Sequence, residues 1–341
     1  MMSKAKFVLS KSKVLEQYNK IKEISDKVSY SNKTNFEVGK ILEDETDCFF
    51  SVHSINSLET IENKSRVWFF AQAWTEEEIL QLFSLGVDSF VVDNEVDLNK
   101  LIKLIDNNKI NLLLRLKLRE NTIHTGKHFV FGFRSKQINE LLPALKENKN
   151  INALGIHFHR KTQNVSEWSL KEELSEAILE ENLTKLDIVN IGGGIPAEYK
   201  NHRPEIINYI FNKIKETKEW LNSKNIKVIA EPGRFIAGPS VQLETEIVNI
   251  YDDNLVVNCS VYNAAMDTFI ANIRLLVEGE LEEGKRYTIK GSTPDSMDIF
   301  RYSVYLDNPK IGNKLVFLNA GAYNFSTEFC KLPKLKTEVI E

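Results

Sequence analysis

The sequence predicts a (β/α)8 TIM barrel followed by a smaller β domain. From about residue 10 to about residue 235, short apolar runs alternate with amphipathic stretches of helical period. Such alternation is typical of a parallel sheet whose outer face is covered by helices. After Gly238 and Pro239 the apolar segments become short and β-prone, and turn residues separate them. We therefore predict a barrel over residues 10–238 and a β domain over residues 239–341, with residues 1–9 as a candidate extra strand of that domain.

The apolar runs of the first segment are the predicted barrel strands. They cover residues 28–31, 48–52, 67–71, 89–92, 111–117, 153–158, 186–191 and 228–230. Eight βα units over roughly 225 residues fit a closed (β/α)8 barrel. An open doubly wound sheet is the competing interpretation of the same alternation.

Helical stretches separate these strands. The clearest cover residues 75–85, 95–105, 135–145 and 204–221. Thr75 and Glu78 have the spacing of a capping box at a helix N-terminus, and Pro204 suits a first helical position. In the β domain the predicted strands cover residues 242–251, 255–261, 286–289 and 314–318, with residues 6–9 as the candidate added strand.

Composition and charge limit the classes of function. Hydrophobic residues make up 42% of the chain and charged residues 27%, which is ordinary for a globular protein. The net charge of −4 and the interspersed charges argue against nucleic-acid binding. No apolar run approaches the ~20 residues of a membrane span, and the N-terminus lacks the apolar run of a signal peptide. Three separated cysteines offer neither a disulfide framework nor metal-ligand spacing, so we expect a cytoplasmic protein.

Polar or glycine-rich clusters follow several of the predicted barrel strands. They are Lys33 after the first strand, His157 and His159 in the sixth and just after it, Gly192, Gly193 and Gly194 after the seventh, and Glu231 with Arg234 after the eighth. The functional residues of (β/α)8 barrels lie at the carboxyl ends of the strands. We therefore expect these clusters to meet at one rim of the barrel.

Together the clusters supply the groups needed to hold pyridoxal phosphate. A lysine amine such as Lys33 can bond covalently to an aldehyde cofactor, and a glycine-rich turn lets backbone N–H groups approach a phosphate. Glu231 can pair with a pyridinium nitrogen and keep it protonated, which makes the ring an electron sink. Each feature alone has an ordinary alternative: a solvated lysine, a tight turn, satisfied core histidines, and an ion pair between Glu231 and Arg234.

These residues resemble the fold-type III pyridoxal-phosphate decarboxylases, the family of ornithine, arginine, diaminopimelate and carboxynorspermidine decarboxylases, whose barrel is related to that of alanine racemase. The resemblance runs in order from Tyr30 to Phe329. The motifs that carry it are Tyr30-Ser31-Asn32-Lys33-Thr34-Asn35, Gly155-Ile156-His157-Phe158-His159, Gly192-Gly193-Gly194, Ala230-Glu231-Pro232-Gly233-Arg234-Phe235 and Gly321-Ala322-Tyr323. It implies a covalent link at Lys33, stacking of His159 on the cofactor ring, pairing of Glu231 with the ring nitrogen, and phosphate binding by Gly192, Gly193, Gly194, Arg234 and Tyr323, with Arg115 near the ring.

The chain departs from this family in the segment that begins at Gly291. The family has Cys-Asp-Ser-x-Asp there, with a cysteine that protonates the carbanion and an aspartate that holds the distal amine of the substrate across a homodimer. Here Pro294 stands at the cysteine position, and proline cannot donate a proton. The resemblance implies catalytic and substrate-binding roles for Asp295 and substrate contacts from Asp298 and Tyr262, whereas a turn aspartate is the ordinary alternative for Asp295. Lys33, His53, His157 and water remain open as the replacement proton donor.

Further departures concern the substrate. Arg160 and Lys161 stand where the family has small residues, which indicates an extra phosphate contact, a substrate with an additional carboxylate, or only a solvated basic loop. The second acidic residue expected in the β domain has no clear counterpart, since Asp267 is out of step. Ser51 occupies a position where the family tends to have aspartate.

We therefore predict a pyridoxal-phosphate-dependent α-decarboxylase of an amino acid. The resemblance implies a homodimer with shared active sites. Its substrate is expected to be a basic diamino acid of the ornithine, lysine or arginine type, or a carboxylate-bearing intermediate of polyamine, lysine or siderophore-type biosynthesis. The alternatives are a racemase or cofactor carrier, and a non-catalytic regulatory homologue similar to the antizyme inhibitors.

Overall fold

The structure is a computed structural model that describes residues 4–105, 108–117, 131–202 and 205–341. Over these residues the chain divides into two compact units. Tyr18–Pro196 and Glu205–Pro232 form the barrel unit, and Met1–Gln17, Ala197–Pro204 and Gly233–Glu341 form the sheet unit. The domain limits 10–238 and 239–341 inferred above stay a prediction.

Strands and helices alternate through the barrel unit, whereas strands dominate the sheet unit. The strands are β1 (Lys6–Ser10), β2 (Lys27–Ser31), β3 (Phe49–Val52), β4 (Val67–Phe70), β5 (Ser89–Val92), β6 (Ile110–Arg115), β7 (Ile151–His157), β8 (Ile188–Asn190), β9 (Lys227–Ala230), β10 (Val241–Tyr251), β11 (Asn254–Val257), β12 (Leu276–Val277), β13 (Leu281–Lys290), β14 (Ile299–Tyr305), β15 (Lys314–Leu318) and β16 (Lys336–Ile340). The helices are α1 (Lys11–Ile24), α2 (Phe36–Glu45), α3 (Glu76–Ser84), α4 (Glu95–Leu104), α5 (Ser135–Lys146), α6 (Leu170–Ala177), α7 (Glu180–Leu183), α8 (Ile207–Asn222), α9 (Arg234–Ser240), α10 (Val261–Ala264) and α11 (Asp267–Ile270). No described helix is long and apolar enough to cross a membrane.

In the barrel unit, the parallel strands β2 to β9 close on themselves, all of them within the described residues. Closure is made by β2 and β9, which pair through Lys27↔Ile229 and Val28↔Ala230. This pairing excludes an open doubly wound sheet and confirms the predicted (β/α)8 barrel. Large apolar side chains fill the interior, among them Trp68, Phe70, Val91, Leu113 and Ile229.

Local sequence signals account for the helix boundaries of the barrel unit. Helix α3 begins after Thr75, whose side chain accepts from the backbone N–H of Glu78 while the Glu78 carboxylate accepts from the N–H of Thr75. The predicted capping box is therefore present. Helix α8 begins at Ile207, and the predicted start at Pro204 lies outside the described residues.

In the sheet unit, the described strands pair in the order β12-β15-β10-β11-β13-β14. Strand β1 pairs antiparallel with β10 and parallel with β16, so the N-terminal strand does join this sheet. The strand predicted over residues 255–261 is too long, because β11 ends at Val257. Ser260 and Asn263 form a capping box that starts helix α10 at Val261, so the chain turns helical there.

Candidate active site

The residues predicted for a cofactor site in the barrel unit lie at the carboxyl ends of its strands. Lys33 lies in the turn after β2, Arg115 ends β6, His159 follows β7, Gly192, Gly193 and Gly194 (the glycine loop) follow β8, and Glu231 follows β9. Because parallel barrel strands end at a common rim, the fold brings these side chains to one side of the barrel.

The amine of Lys33 lies beside an imidazole. Its Nζ atom is 3.3 Å from Nε2 of His53. Burial lowers the pKa of Lys33, while the negative charge of Glu231 opposes this effect and the positive charge of Arg115 adds to it. The side chain nevertheless has solvent exposure. Lys33 is therefore reachable and easier to deprotonate than an ordinary surface lysine.

The carboxylate of Glu231 is fixed by hydrogen bonds from other strand ends. Ser51 Oγ donates to Oε1 at 2.7 Å and Asn190 Nδ2 donates to the same oxygen at 2.8 Å. His157 Nε2 lies 3.0 Å from Oε2. Burial alone would raise the pKa of Glu231, but the interactions with these partners outweigh it and lower that pKa. Glu231 is therefore ionised, the form that pairs with a protonated pyridine nitrogen.

His157 is the neutral partner of this carboxylate. It is 1% exposed, and burial lowers its pKa more than the charge of Glu231 raises it. A neutral imidazole that donates from Nε2 carries no hydrogen on Nδ1. Among the described residues His157 Nδ1 has no hydrogen-bond partner, and the ring meets that of Phe70 edge-on with centroids 5.0 Å apart.

The glycine loop is shaped so that no side chain fits at its centre. A Cβ atom at Gly193 would lie 2.7 Å from the carbonyl oxygen of Glu231 and 3.3 Å from the His159 ring. Gly192 and Gly194 adopt φ values of 66° and 97°, which favour glycine. The N–H of Gly193 donates to Nδ1 of His159 at 3.4 Å, so the loop and this ring are adjacent. Burial of the imidazole among the surrounding protein atoms lowers the pKa of His159, so its ring is neutral near pH 7.

Arg234 and Tyr323 both belong to the sheet unit. The Arg234 guanidinium forms a two-point ion pair with Asp267, in which Nη2 donates to Oδ1 at 3.0 Å, and its Nη1 donates to Tyr199 Oη at 3.2 Å. Its carbon Cζ is 5.3 Å from the centroid of the Tyr323 ring. Burial would lower the pKa of Arg234, but Asp267 and Tyr199 outweigh it and raise that pKa. Asp267, which was out of step with a substrate-binding acid, thus holds this arginine in place.

Tyr262 and Asp295 are in direct contact within the sheet unit. Tyr262 Oη donates to Asp295 Oδ1 at 3.0 Å, and the Tyr262 ring stacks on Phe329 with centroids 3.8 Å apart. Asp295 Oδ1 also accepts from the backbone N–H of Met297 at 2.8 Å. These contacts show the turn role of Asp295. They do not test a contact with substrate, so the substrate role of Asp295 stays a prediction.

Asp298 holds the loop between β13 and β14. It is 0% exposed, and its carboxylate accepts hydrogen bonds from Val261 N at 2.8 Å, Thr293 N at 3.0 Å and Thr293 Oγ1 at 2.6 Å. A Cβ at Gly291 would lie 2.0 Å from this carboxylate, so glycine is needed there. These contacts favour a structural role, and the substrate contact inferred for Asp298 stays a prediction.

Arg160 is buried in the barrel unit and forms an ion pair there. It is 1% exposed, and its Nη2 donates to Glu173 Oε1 at 2.7 Å. Its Nη1 lies 4.0 Å from Glu167 Oε2. Arg160 is therefore not part of a solvated basic loop, which was one of the alternatives considered above. The neighbouring Lys161 is exposed.

Sequence reasoning missed the residues that orient the functional groups. Ser51 was noted only as a departure from aspartate, and Asn190 and Tyr199 were not singled out. Asn190 directly precedes the glycine loop at the end of β8, and Ser51 lies in the strand beside the one that leads to Lys33. Position at a strand end is the signal that could have found both.

These features fit pyridoxal phosphate. The bare centre of the glycine loop suits close approach of a phosphate, the ionised Glu231 suits a protonated pyridine nitrogen, and Lys33 offers an amine of lowered pKa. The fold and the rim residues define the class of (β/α)8 barrel proteins that bind this cofactor.

Comparison with known proteins places the chain within that class. The family model described as "Pyridoxal-dependent decarboxylase, pyridoxal binding domain" matches residues 11–238, and the chain belongs to this family. The predicted family and the pyridoxal cofactor are thereby confirmed.

Curated relatives share low sequence identity with the chain. A probable ornithine decarboxylase of Dictyostelium discoideum is 25% identical over 73% of this chain and 59% of its own length. Antizyme inhibitor 2 of Xenopus laevis is 25% identical over 71% of this chain and 58% of its own length. Diaminopimelate decarboxylase of Helicobacter pylori is 24% identical over 88% of this chain and 79% of its own length. The chain thus matches less than two thirds of the length of the first two relatives.

Solved structures show the same fold. Lysine/ornithine decarboxylase from Vibrio vulnificus, complexed with putrescine, has a TM-score of 0.82 at 21% identity and covers 99% of this chain and 94% of its own. Lysine decarboxylase from Selenomonas ruminantium has a TM-score of 0.84 at 21% identity and covers 99% of this chain and 92% of its own.

We expect Asp267→Asn to lower the free energy of unfolding by about 3 kcal/mol, because the buried Arg234 guanidinium would then face a neutral amide. Urea unfolding of the cofactor-free protein measures this. The matched control is Asp253→Asn, since Asp253 pairs with Lys285 at the surface with side-chain exposures of 71% and 61%. That change should stay within about 0.5 kcal/mol. Equal effects of the two substitutions would contradict a special role for the Arg234–Asp267 pair.

Proposed function

We propose that this protein is an enzyme that catalyses the pyridoxal-phosphate-dependent α-decarboxylation of an amino acid. The observation that carries the proposal is the presence, at one barrel rim, of two groups: Lys33, whose pKa is lowered, and the buried, ionised Glu231. The carboxylate of Glu231 is held by Ser51, Asn190 and His157. Structural ion pairs perturb pKa values as well. A nucleophilic amine together with a carboxylate that can pair with a pyridinium nitrogen on the same rim matches the chemistry of pyridoxal phosphate. The decarboxylases among the relatives support it.

Each rim residue of the barrel unit has a defined task in this proposal. When bound, the cofactor supplies an aldehyde that bonds to amines and a protonated ring that accepts the electron pair left by CO2. Lys33 provides the attaching amine, Glu231 keeps the ring nitrogen protonated, and His159 packs against the ring. The glycine loop binds phosphate through backbone N–H groups, and Arg115 adds positive charge near the ring. The phosphate contacts inferred for Arg234 and Tyr323 stay predictions.

The substrate proposed is a basic diamino acid of the ornithine, lysine or arginine type, or a related amino acid with an additional carboxylate. Relatives named as ornithine, lysine/ornithine and diaminopimelate decarboxylases support both classes. The burial of Arg160 against Glu173 removes that arginine as a ready partner for a substrate carboxylate. This geometry favours the basic substrates.

The direct test is release of CO2 from a panel of amino acids by the protein reconstituted with pyridoxal phosphate. The panel contains ornithine, lysine, arginine, diaminopimelate and neutral amino acids of similar length. We expect CO2 release from a basic member of the panel. A protein that attaches the cofactor but releases CO2 from none of the panel, and instead racemises an amino acid, would overturn the proposal.

A homodimer with shared sites is part of the proposal, and Asp295 provides its test. We expect Asp295→Asn to raise KM for a basic substrate at least about tenfold, because an amide cannot pair with the distal cation. The rate of cofactor attachment should not change. Sedimentation measures the assembly, and mixing Asp295→Asn with the inactive Lys33→Ala should restore activity, since one site of a mixed dimer receives both intact residues. A monomer with full activity would contradict this part of the proposal.

A non-catalytic regulatory role is the second candidate, and Pro294 is the observation that favours it. Pro294 stands where the resembling decarboxylases have a proton-donating cysteine, and antizyme inhibitor 2 is among the similar proteins. A protein that cannot be loaded with pyridoxal phosphate at all would support this candidate. Covalent loading together with CO2 release would exclude it.

A further inference from the structure

Lys33 and His53 form a pair of nitrogen bases at the rim of the barrel unit. Lys33 Nζ lies 3.3 Å from His53 Nε2. Lys33 follows β2 and His53 follows β3, and these strands pair in parallel, with Tyr30 opposite Phe50. Adjacent strand ends therefore bring the two side chains together, independently of the contacts that fix Glu231.

The His53 ring has a defined orientation. It stacks on the ring of Phe70, with centroids 4.7 Å apart and planes inclined by 12°. Phe70 ends β4 and is 9% exposed, so it offers a fixed surface for the stack. His53 also lines a cavity of about 320 Å³ together with Asn56, Gln72 and Trp74. The imidazole thus contacts both the Lys33 amine and a space that admits solvent.

His53 is neutral near pH 7, so the lone pair on Nε2 can accept a proton, and its lowered pKa of about 3 means that it holds that proton only briefly. Burial lowers the pKa of His53, and the positive charge of Lys33 lowers it further, so the ring is neutral near pH 7. The other charged and titratable groups that act on it are Glu231, His157 and Arg115. An imidazole that accepts a hydrogen bond at Nε2 carries its own hydrogen on Nδ1. It can therefore take a proton at one nitrogen and release another from the second.

We propose that His53 is a catalytic residue that relays the proton of Lys33 to solvent in this cavity. An N–H bond of the Lys33 ammonium breaks, the proton moves to His53 Nε2, and the electron pair stays on Nζ. The Nδ1–H bond of His53 then breaks and that proton passes to water. The net change is a neutral, nucleophilic Lys33 amine and a proton in solvent. This inference deepens the proposed function and rests on it, since it takes Lys33 as the residue that bonds to the cofactor.

The test is the rate at which pyridoxal phosphate becomes covalently attached to Lys33 at pH 7. Borohydride added at set times traps the attached cofactor, and mass spectrometry of the Lys33 peptide quantifies it. We expect His53→Ala to slow attachment about 10²-fold, the range typical of general acid–base groups. Added imidazole should restore much of the rate, because a cavity of roughly 150 Å³ already admits a ring such as benzene. His53→Gln, which accepts a hydrogen bond but takes up no proton, should stay slow.

The controls separate proton relay from a structural role. Asn56→Ala enlarges the same cavity without touching Lys33, and imidazole should not change its attachment rate. Circular dichroism and the urea midpoint show whether each variant is folded. Attachment at the wild-type rate by His53→Ala would overturn the proposal, and so would slow attachment by a folded variant that imidazole does not accelerate. The attachment assay contains no amino-acid substrate, so it tests the role of His53 independently of decarboxylation. Fast attachment in this assay, combined with no CO2 release in the substrate panel, would contradict the decarboxylase proposal and not the role of His53.

Discussion

Lys33→Ala is expected to abolish covalent attachment of pyridoxal phosphate and to lower the rate of CO2 release by a factor on the order of 10³ or more, which is about 4 kcal/mol of activation free energy. Alanine removes the amine that lies beside His53 and whose pKa is lowered by burial. Without Lys33 the rim lacks the amine that would bond to the aldehyde of the cofactor and displace the product. The measurement is the visible absorption band of the loaded protein and its removal by borohydride.

The matched control for this experiment is Lys103→Ala. Lys103 lies on α4, on the outer side of the barrel unit, where it pairs with Glu76 at 2.8 Å. Its removal should leave the absorption band and the rate of CO2 release unchanged. A visible band in the Lys33→Ala protein that borohydride removes, with another lysine then found modified, would show that Lys33 is not the attachment site.

The barrel was predictable because its strands carry a simple signal. Strands buried on both faces read as continuous apolar runs, and the predicted run 89–92 coincides with β5 (Ser89–Val92). Strand β14 (Ile299–Tyr305) was not predicted, since Arg301 interrupts its apolar pattern. In the structure Arg301 is 2% exposed and donates to both carboxylate oxygens of Glu280, at 2.7 and 3.0 Å. A buried charge becomes acceptable only through a partner that is distant in sequence, and no local pattern reveals that partner.

The positions of the chemical groups were predictable, but their orientation was not. Strand-end position and residue type sufficed to select Lys33, His159 and Glu231 as rim residues. The hydrogen bond from Ser51 to Glu231 joins residues 180 positions apart. The two-point contact of Arg234 with Asp267 likewise joins two separate helices, α9 and α11, which lie 33 positions apart at these residues. Such contacts are set by tertiary packing. Sequence patterns therefore identify the chemical groups but do not identify the residues that pair with them.

Glu231→Gln is expected to lower the rate of CO2 release by about 10²- to 10³-fold, the usual effect of removing one preorganised electrostatic group. Glutamine has the same shape, but it cannot stabilise a positive charge on the ring nitrogen. The ring would then lose the proton that makes it an electron sink. Because Lys33 is untouched, covalent attachment of the cofactor should persist, and the loss should fall on kcat rather than on cofactor loading.

Two further variants show whether the state of Glu231 depends on its hydrogen bonds. Asn190→Ala removes one donor from Oε1 and Ser51→Ala removes the other, and each should have a smaller effect than Glu231→Gln. Glu216→Gln is the matched control, since Glu216 pairs with Lys213 within helix α8 and its side chain is 56% exposed. If Glu231→Gln retained full kcat, the ring nitrogen would not need to stay protonated. The lowered pKa of Glu231 would then serve only the hydrogen bonds among Ser51, Asn190 and His157, and the electron-sink role would have to be abandoned.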